Sequence, residues 1–139
     1  KKDPRIYYAK EVTFDYGTSS QVRVDYMRFN PVNNSLSGIE KGDFYCYEIK
    51  SCLEDFNSKN GHNFIGDYNY YVMTEETYNR VQHIIPYRVG VLIKDGNSLK
   101  SIRKSTRKDR EKPLCEMLLM MYRSSQRDRF KFNEEELNE

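Results

Sequence analysis

Asp43-Phe44-Tyr45-Cys46-Tyr47-Glu48-Ile49-Lys50, followed at once by Ser51-Cys52-Leu53-Glu54, is the stretch on which the fold turns. Aromatic and β-branched residues in the octet give a strand pattern that ends at Ser51. Ser51 and Glu54 have capping-box spacing, so a short helix is expected directly after Lys50. Side chains alternate along a strand, which puts Glu48 and Lys50 on one face and points Ile49 into the core.

Working towards the N-terminus, Asn30 to Lys41 reads as a loop, with Pro31, Asn33, Asn34 and Gly38 in it. Before it, Ile6 to Tyr16 and Gln21 to Phe29 flank the turn cluster Gly17-Thr18-Ser19-Ser20 and form a hairpin. In the second arm Val22, Val24 and Tyr26 share one face, and Gln21, Arg23 and Asp25 share the other. Towards the C-terminus, Tyr68 to Met73 is an aromatic strand. Thr74 caps a helix that should run to about Ile85 and stop at Pro86. Val89 to Ile93 and Ser98 to Ile102 are strands about an Asp95-Gly96 turn. A helix over about 113–126 starts at Pro113, with Leu114, Met117, Leu118, Met121 and Tyr122 at helical spacing. The order ββ–β–α–β–α–ββ–α describes an α/β (α+β) domain: a mixed central β-sheet flanked by helices, over residues 1–139.

Length fits one domain: 139 residues are too few for two of ordinary size. At 32% charged and 37% hydrophobic residues the chain is polar, but 14% aromatics keep it out of the disordered class. Twelve tyrosines and no tryptophan suit a domain with one wet, ligand-facing surface. No run nears the ~20 apolar residues of a membrane span, and no signal peptide opens the chain. Cys46, Cys52 and Cys115 lack metal-ligand spacing and read as free thiols of a reducing cytoplasm. His62 and His83 have no companions at zinc-ligand spacing. The chain opens at Lys1 rather than methionine, which leaves room for sequence upstream.

Glu48-Ile49-Lys50 is the chain's single acidic-x-Lys triplet. A carboxylate beside an ammonium at a strand end suits metal-assisted phosphodiester hydrolysis: the carboxylate holds a hard divalent cation and the lysine orients or deprotonates the attacking water. Asp25, ending the preceding strand, supplies the second carboxylate. The competing reading is a surface charge pair of little consequence.

The segments Arg23-Val24-Asp25-Tyr26-Met27, Tyr47-Glu48-Ile49-Lys50-Ser51 with Asp55-Phe56, and Gly66-Asp67-Tyr68-Asn69-Tyr70-Tyr71-Val72-Met73 resemble the PD-(D/E)xK nuclease superfamily. Within it they are similar to the MmcB-like group of DNA-repair nucleases and its phage and mobile-element relatives. The likeness runs on through Val89-Gly90-Val91 to the last helix. It implies a restriction-endonuclease-like core, with Asp25 and Glu48 as Mg²⁺ ligands (Mn²⁺ substituting), Lys50 as the catalytic lysine and DNA as substrate. It also matches Glu11 to a position where relatives often carry an acid that could face the same metal. Ser51 and Asp55 would stand behind these groups, with Asp55 orienting Lys50 or a metal-bound water. Many members place a helix before the first strand; this chain begins too late to show one.

Lys100 to Lys112 holds seven Lys or Arg against Asp109 and Glu111, while residues 134–139 form an acidic tail. Lys100, Arg103, Lys104, Arg107 and Lys108, with Lys59, are candidate contacts to nucleic-acid phosphate; otherwise they belong to a solvated loop. Tyr68, Tyr70 and Tyr71 read as core and sheet-face packing before base stacking. Two function classes follow: a metal-dependent nuclease, or a non-catalytic module on the same fold that holds nucleic acid or blocks a partner protein. Homodimer formation stays open.

Overall fold

Each strand of this chain lies beside its successor. The computed structural model describes residues 6–58 and 61–137, with side chains to residue 127. Among these, β1 (Tyr7–Phe14), β2 (Val22–Asn30), β3 (Asp43–Lys50), β4 (Tyr68–Met73), β5 (Gly90–Asp95) and β6 (Ser98–Arg103) form one sheet in chain order. The pairs β1–β2, β2–β3 and β5–β6 are antiparallel; β3–β4 and β4–β5 are parallel. The helices are α1 (Leu36–Glu40), α2 (Leu53–Asn57), α3 (Glu75–Val81) and α4 (Leu114–Leu137). This is the expected α+β class with a mixed sheet.

The parallel pairs explain where the helices sit. Two successive crossovers, β3–α2–β4 and β4–α3–β5, step the same way across the sheet, and right-handed crossovers then lay both helices on one face. Phe56 of α2 and Val81 of α3 indeed share a buried cluster with Tyr71, Met73, Val91 and Ile93. On the same face, Met117 and Met121 of α4 pack with Val12, Val24, Met27, Phe29, Phe44 and Cys46. The methionine-rich stripe is therefore core, though Tyr122, expected within it, is 60% exposed.

The opposite face carries no helix among the described residues. Register aligns Tyr26, Tyr47 and Tyr70 across three strands, and Tyr45 with Tyr68. The rings of Tyr47 and Tyr70 stack at 5.6 Å and those of Tyr45 and Tyr68 at 4.8 Å, with the Arg28 guanidinium 4.2 Å from the Tyr45 ring centre. Gly90 lies opposite Tyr70, whose ring occupies the space a Cβ would need, 2.3 Å away. Ile49 is on this face and 52% exposed, so its expected place in the core is corrected: the core face is the one Glu48 and Lys50 occupy.

Local readings also shift. The segment from Asn30 to Lys41, expected to be a loop, contains α1, capped by Ser35, whose hydroxyl accepts from the Gly38 amide at 3.0 Å. The N-cap of α2 is Cys52, not Ser51, and the backward reach comes from Asp55, which accepts from the Ser51 amide at 3.0 Å. Thr74 caps α3 as expected, but the helix ends at Val81 rather than near Ile85. Helix α4 runs on to Leu137, well past residue 126 and into the acidic tail.

Candidate functional site

Along β3 the inward positions are Phe44, Cys46, Glu48 and Lys50. The first two join one core cluster, and β4 contributes Tyr71 and Met73 to the other. Glu48 and Lys50 stand at the seam, 1% and 2% exposed. Taking an ionisable group out of water costs several kcal/mol even after relaxation, whether as the ion or as the free energy of neutralising it, so two such groups at the end of one strand need a reason beyond stability.

Asp25 reaches them because β1 and β2 are both interrupted. Pairing passes from Lys10–Tyr26 to Val12–Val24, with Glu11 and Asp25 left out of the ladder. Glu11 adopts a left-handed φ of 49°. The Lys10 carbonyl accepts from the Ser124 hydroxyl, and the Glu11 carbonyl from Arg127 at 3.1 Å, so α4 holds the kink in place. The interruption resets the alternation of β2: Val24 and Met27 both face the core, and Tyr26 joins the open face instead of sharing one with Val22 and Val24. Asp25 is thus mid-strand, not at a strand end. Pairing of β2 with β3 stops at Tyr26–Tyr47, and Asp25 Oδ2 accepts the Ile49 amide at 2.8 Å.

The carboxyls of Asp25 and Glu48 meet on the core side of this gap. Burial first, then the charge and contact of Asp25, push the Glu48 carboxyl up to about 8; the Asn63 amide and Lys50 pull the other way. Glu48 Oε1 accepts from Asn63 Nδ2 at 3.4 Å, while its buried Oε2 has no hydrogen-bond partner among the described residues. Gly61, with φ +73°, backs onto both groups. A Cβ there would lie 2.5 Å from Lys50 Nζ and 3.4 Å from Glu48 Oε2. Tyr71 is the register partner of Glu48, and burial together with the Glu48 charge raises its hydroxyl.

Asp25, Glu48 and Lys50 therefore converge. The other candidates do not join them. Glu11 is exposed, and no group of three His, Cys, Asp or Glu able to hold a metal occurs among the described residues. Asp55 binds the Ser51 amide and, at 3.3 Å, its hydroxyl, fixing the turn that follows Lys50. The basic segment crosses the far end of the sheet. Arg107 binds Asp43 at 2.9 Å, and Arg110 binds the buried Asp67 at 3.0 Å, beside the starts of β3 and β4. Arg103 donates to the carbonyls of Ile85 and Pro86 at 3.2 and 2.8 Å. Lys100 and Lys104 are exposed and Lys108 is half-buried; Lys59 lies outside the described residues.

Sequence reasoning missed Gly61, His62, Asn63 and Tyr71. The first three look like any polar turn after a helix, and only their return to the end of β3 gives them meaning. Tyr71 differs from Tyr68 and Tyr70 only in strand phase, which sets it in the core.

No helix of the described residues is long and apolar enough to cross a membrane. The three cysteines are free. No family model and no curated protein matches the chain. Among solved structures it is similar to a protein of unknown function from Silicibacter pomeroyi, at 19% identity and a TM-score of 0.62. That match covers 91% of this chain and 78% of the other. Likeness at this identity speaks to the fold.

Proposed function

We propose that this chain is a divalent-metal-dependent nuclease acting on DNA, with Asp25 and Glu48 holding the cation and Lys50 serving the attacking water. The observation that carries this reading is the buried Glu48, whose Oε2 has no hydrogen-bond partner among the described residues, set between a second carboxylate and an ammonium. Two carboxyls this close, one of which keeps an oxygen without a hydrogen-bond partner among the described residues, are a hard-oxygen donor set suited to Mg²⁺ or Mn²⁺. When bound, the cation would neutralise charge at the phosphate and make water more acidic.

The protein's own groups do the rest. Asp25, tied to the Ile49 amide, keeps one oxygen for the cation and fixes the spacing of the two strands. Glu48 gives up the proton it holds in the metal-free state. Lys50, fixed beside Gly61, presents its ammonium to the nucleophile or to a phosphate oxygen. Within the basic segment, Lys100 and Lys104 are exposed lysines suited to backbone contacts. The test is incubation with single-stranded, duplex and branched DNA in Mg²⁺ or Mn²⁺, then with chelator. Cleavage should require metal and vanish in Lys50→Ala, which should still bind Mn²⁺. Mn²⁺ binding without cutting on any substrate would favour the non-catalytic module instead.

A further inference from the structure

The turn after α2 is built around the acidic pair. His62 Nε2 lies 2.8 and 2.9 Å from the carbonyl oxygens of Phe56 and Ser58, so that nitrogen carries the proton, and Nδ1 faces the Tyr71 hydroxyl at 2.6 Å. The ring also packs edge-on against Phe56 and Tyr71. One side chain thus pins the turn to the helix before it and the strand after it. With the turn pinned, Asn63 Nδ2 reaches the Arg23 carbonyl of β2 at 3.0 Å and Glu48 Oε1 of β3 at 3.4 Å. Both partners are acceptors, which settles which end of the amide faces them. Asn63 therefore bridges the two strands that supply the carboxylates, at the point where their ladder has stopped.

We propose that Asn63 is a positioning residue of this site. By taking up Oε1 from its anchorage on Arg23, it holds the Glu48 carboxylate with Oε2 turned towards Lys50 Nζ and Gly61. A carboxylate with one oxygen tethered by a fixed donor loses less freedom when the other binds a cation. The functional part of this inference rests on the nuclease reading; the hold on Glu48 does not.

Two measurements test it on the whole chain. In chelator, thermal melting of wild type, Asn63→Ala, Glu48→Leu and the double variant forms a cycle. Asn63→Ala should lower the melting temperature more in the wild-type background than in Glu48→Leu, where only its bond to the Arg23 carbonyl is lost. Equal effects in both backgrounds overturn the inference. Next, Mn²⁺ alone is titrated while melting is followed. The half-saturating concentration should rise about tenfold in Asn63→Ala, the lower end of what outer contacts to metal ligands contribute. An unchanged value, with the cycle showing coupling, makes Asn63 merely structural and also overturns the inference. A wild-type protein indifferent to Mn²⁺ removes the nuclease reading, and the metal-free cycle then decides alone whether Asn63 holds Glu48.

Discussion

Asp25 Oδ2 accepts the backbone amide of Ile49 at 2.8 Å, standing in for the ladder carbonyl that β2 no longer offers at that level. A side chain has replaced main chain in the sheet, and the replacement brings a negative charge within reach of Glu48.

This makes the effect of Asp25→Ala depend on pH. At pH 5, where Glu48 holds its proton, losing the bond to Ile49 should cost about 1–2 kcal/mol. At pH 9 both carboxylates are charged in the wild type, so removing one also relieves repulsion and the cost should shrink. Urea denaturation in chelator at the two pH values measures this. An identical cost at both would mean that the carboxyls are independent.

Glu48 sets a second pH signature. Its carboxyl is raised from an ordinary value of 4.5 to about 8 in the fold. The folded state thus keeps a proton that the unfolded chain releases, and stability must fall as pH rises between those values. Below the lower value both states are protonated and the term is fully present; above the upper it is lost. The metal-free protein should lose on the order of a few kcal/mol across this window, and Glu48→Gln should be nearly flat. Melting curves from pH 4 to 9 in chelator would show it; a wild-type profile as flat as the variant's would refute the shift.

Glu11 sits at φ 49°, a conformation that costs a non-glycine residue roughly 1–2 kcal/mol. Its carbonyl, not its side chain, is what α4 uses. Glu11→Gly should therefore leave the kink intact and raise stability by up to about 1 kcal/mol, less the added entropy of the unfolded chain. Glu11→Ala, which lacks the carboxylate but adds little unfolded-chain freedom, should melt with the wild type; a drop there would show that the Glu11 carboxylate matters to the site.

The basic segment divides by what each cation already does. Arg103 holds two carbonyls, and Arg103→Ala should cost about 1–2 kcal/mol. The exposed Lys100 and Lys104 can change to Gln with melting unaltered. If they touch DNA, the double variant should bind duplex more weakly and flatten the salt dependence, by about 0.9 in slope per lost contact. Equal slopes would place the DNA on another surface.

Strand and helix types were legible because their cues are local: aromatic alternation in Tyr68 to Met73, the Thr74 cap, and Pro113 ahead of an apolar stripe. The convergence of Glu48 with Lys50 was legible for the same reason, since a period of two is a property of the strand alone. What escaped was decided at a distance. At the phase change the carbonyls of Lys10 and Glu11 are held by Ser124 and Arg127, more than a hundred residues later, and the change reversed the expected side of Tyr26. Ile49 was misplaced because an apolar residue between charged ones looks inward, whereas the charged pair takes the core here. That Arg107 pairs with Asp43 escaped as well, because nothing near Arg107 in sequence announces that partner.

The uncovered sheet face has a spectroscopic consequence. A chain without tryptophan owes its near-ultraviolet dichroism and its emission to tyrosine, and Tyr8, Tyr26, Tyr45, Tyr47, Tyr68 and Tyr70, half of its twelve, lie in ring contact on that one face. Stacked rings at 4.8 and 5.6 Å couple their transitions, so the signal reports their mutual geometry more than their number. The protein therefore carries its own label, and anything that settles on this face will change that signal without a dye or a tag.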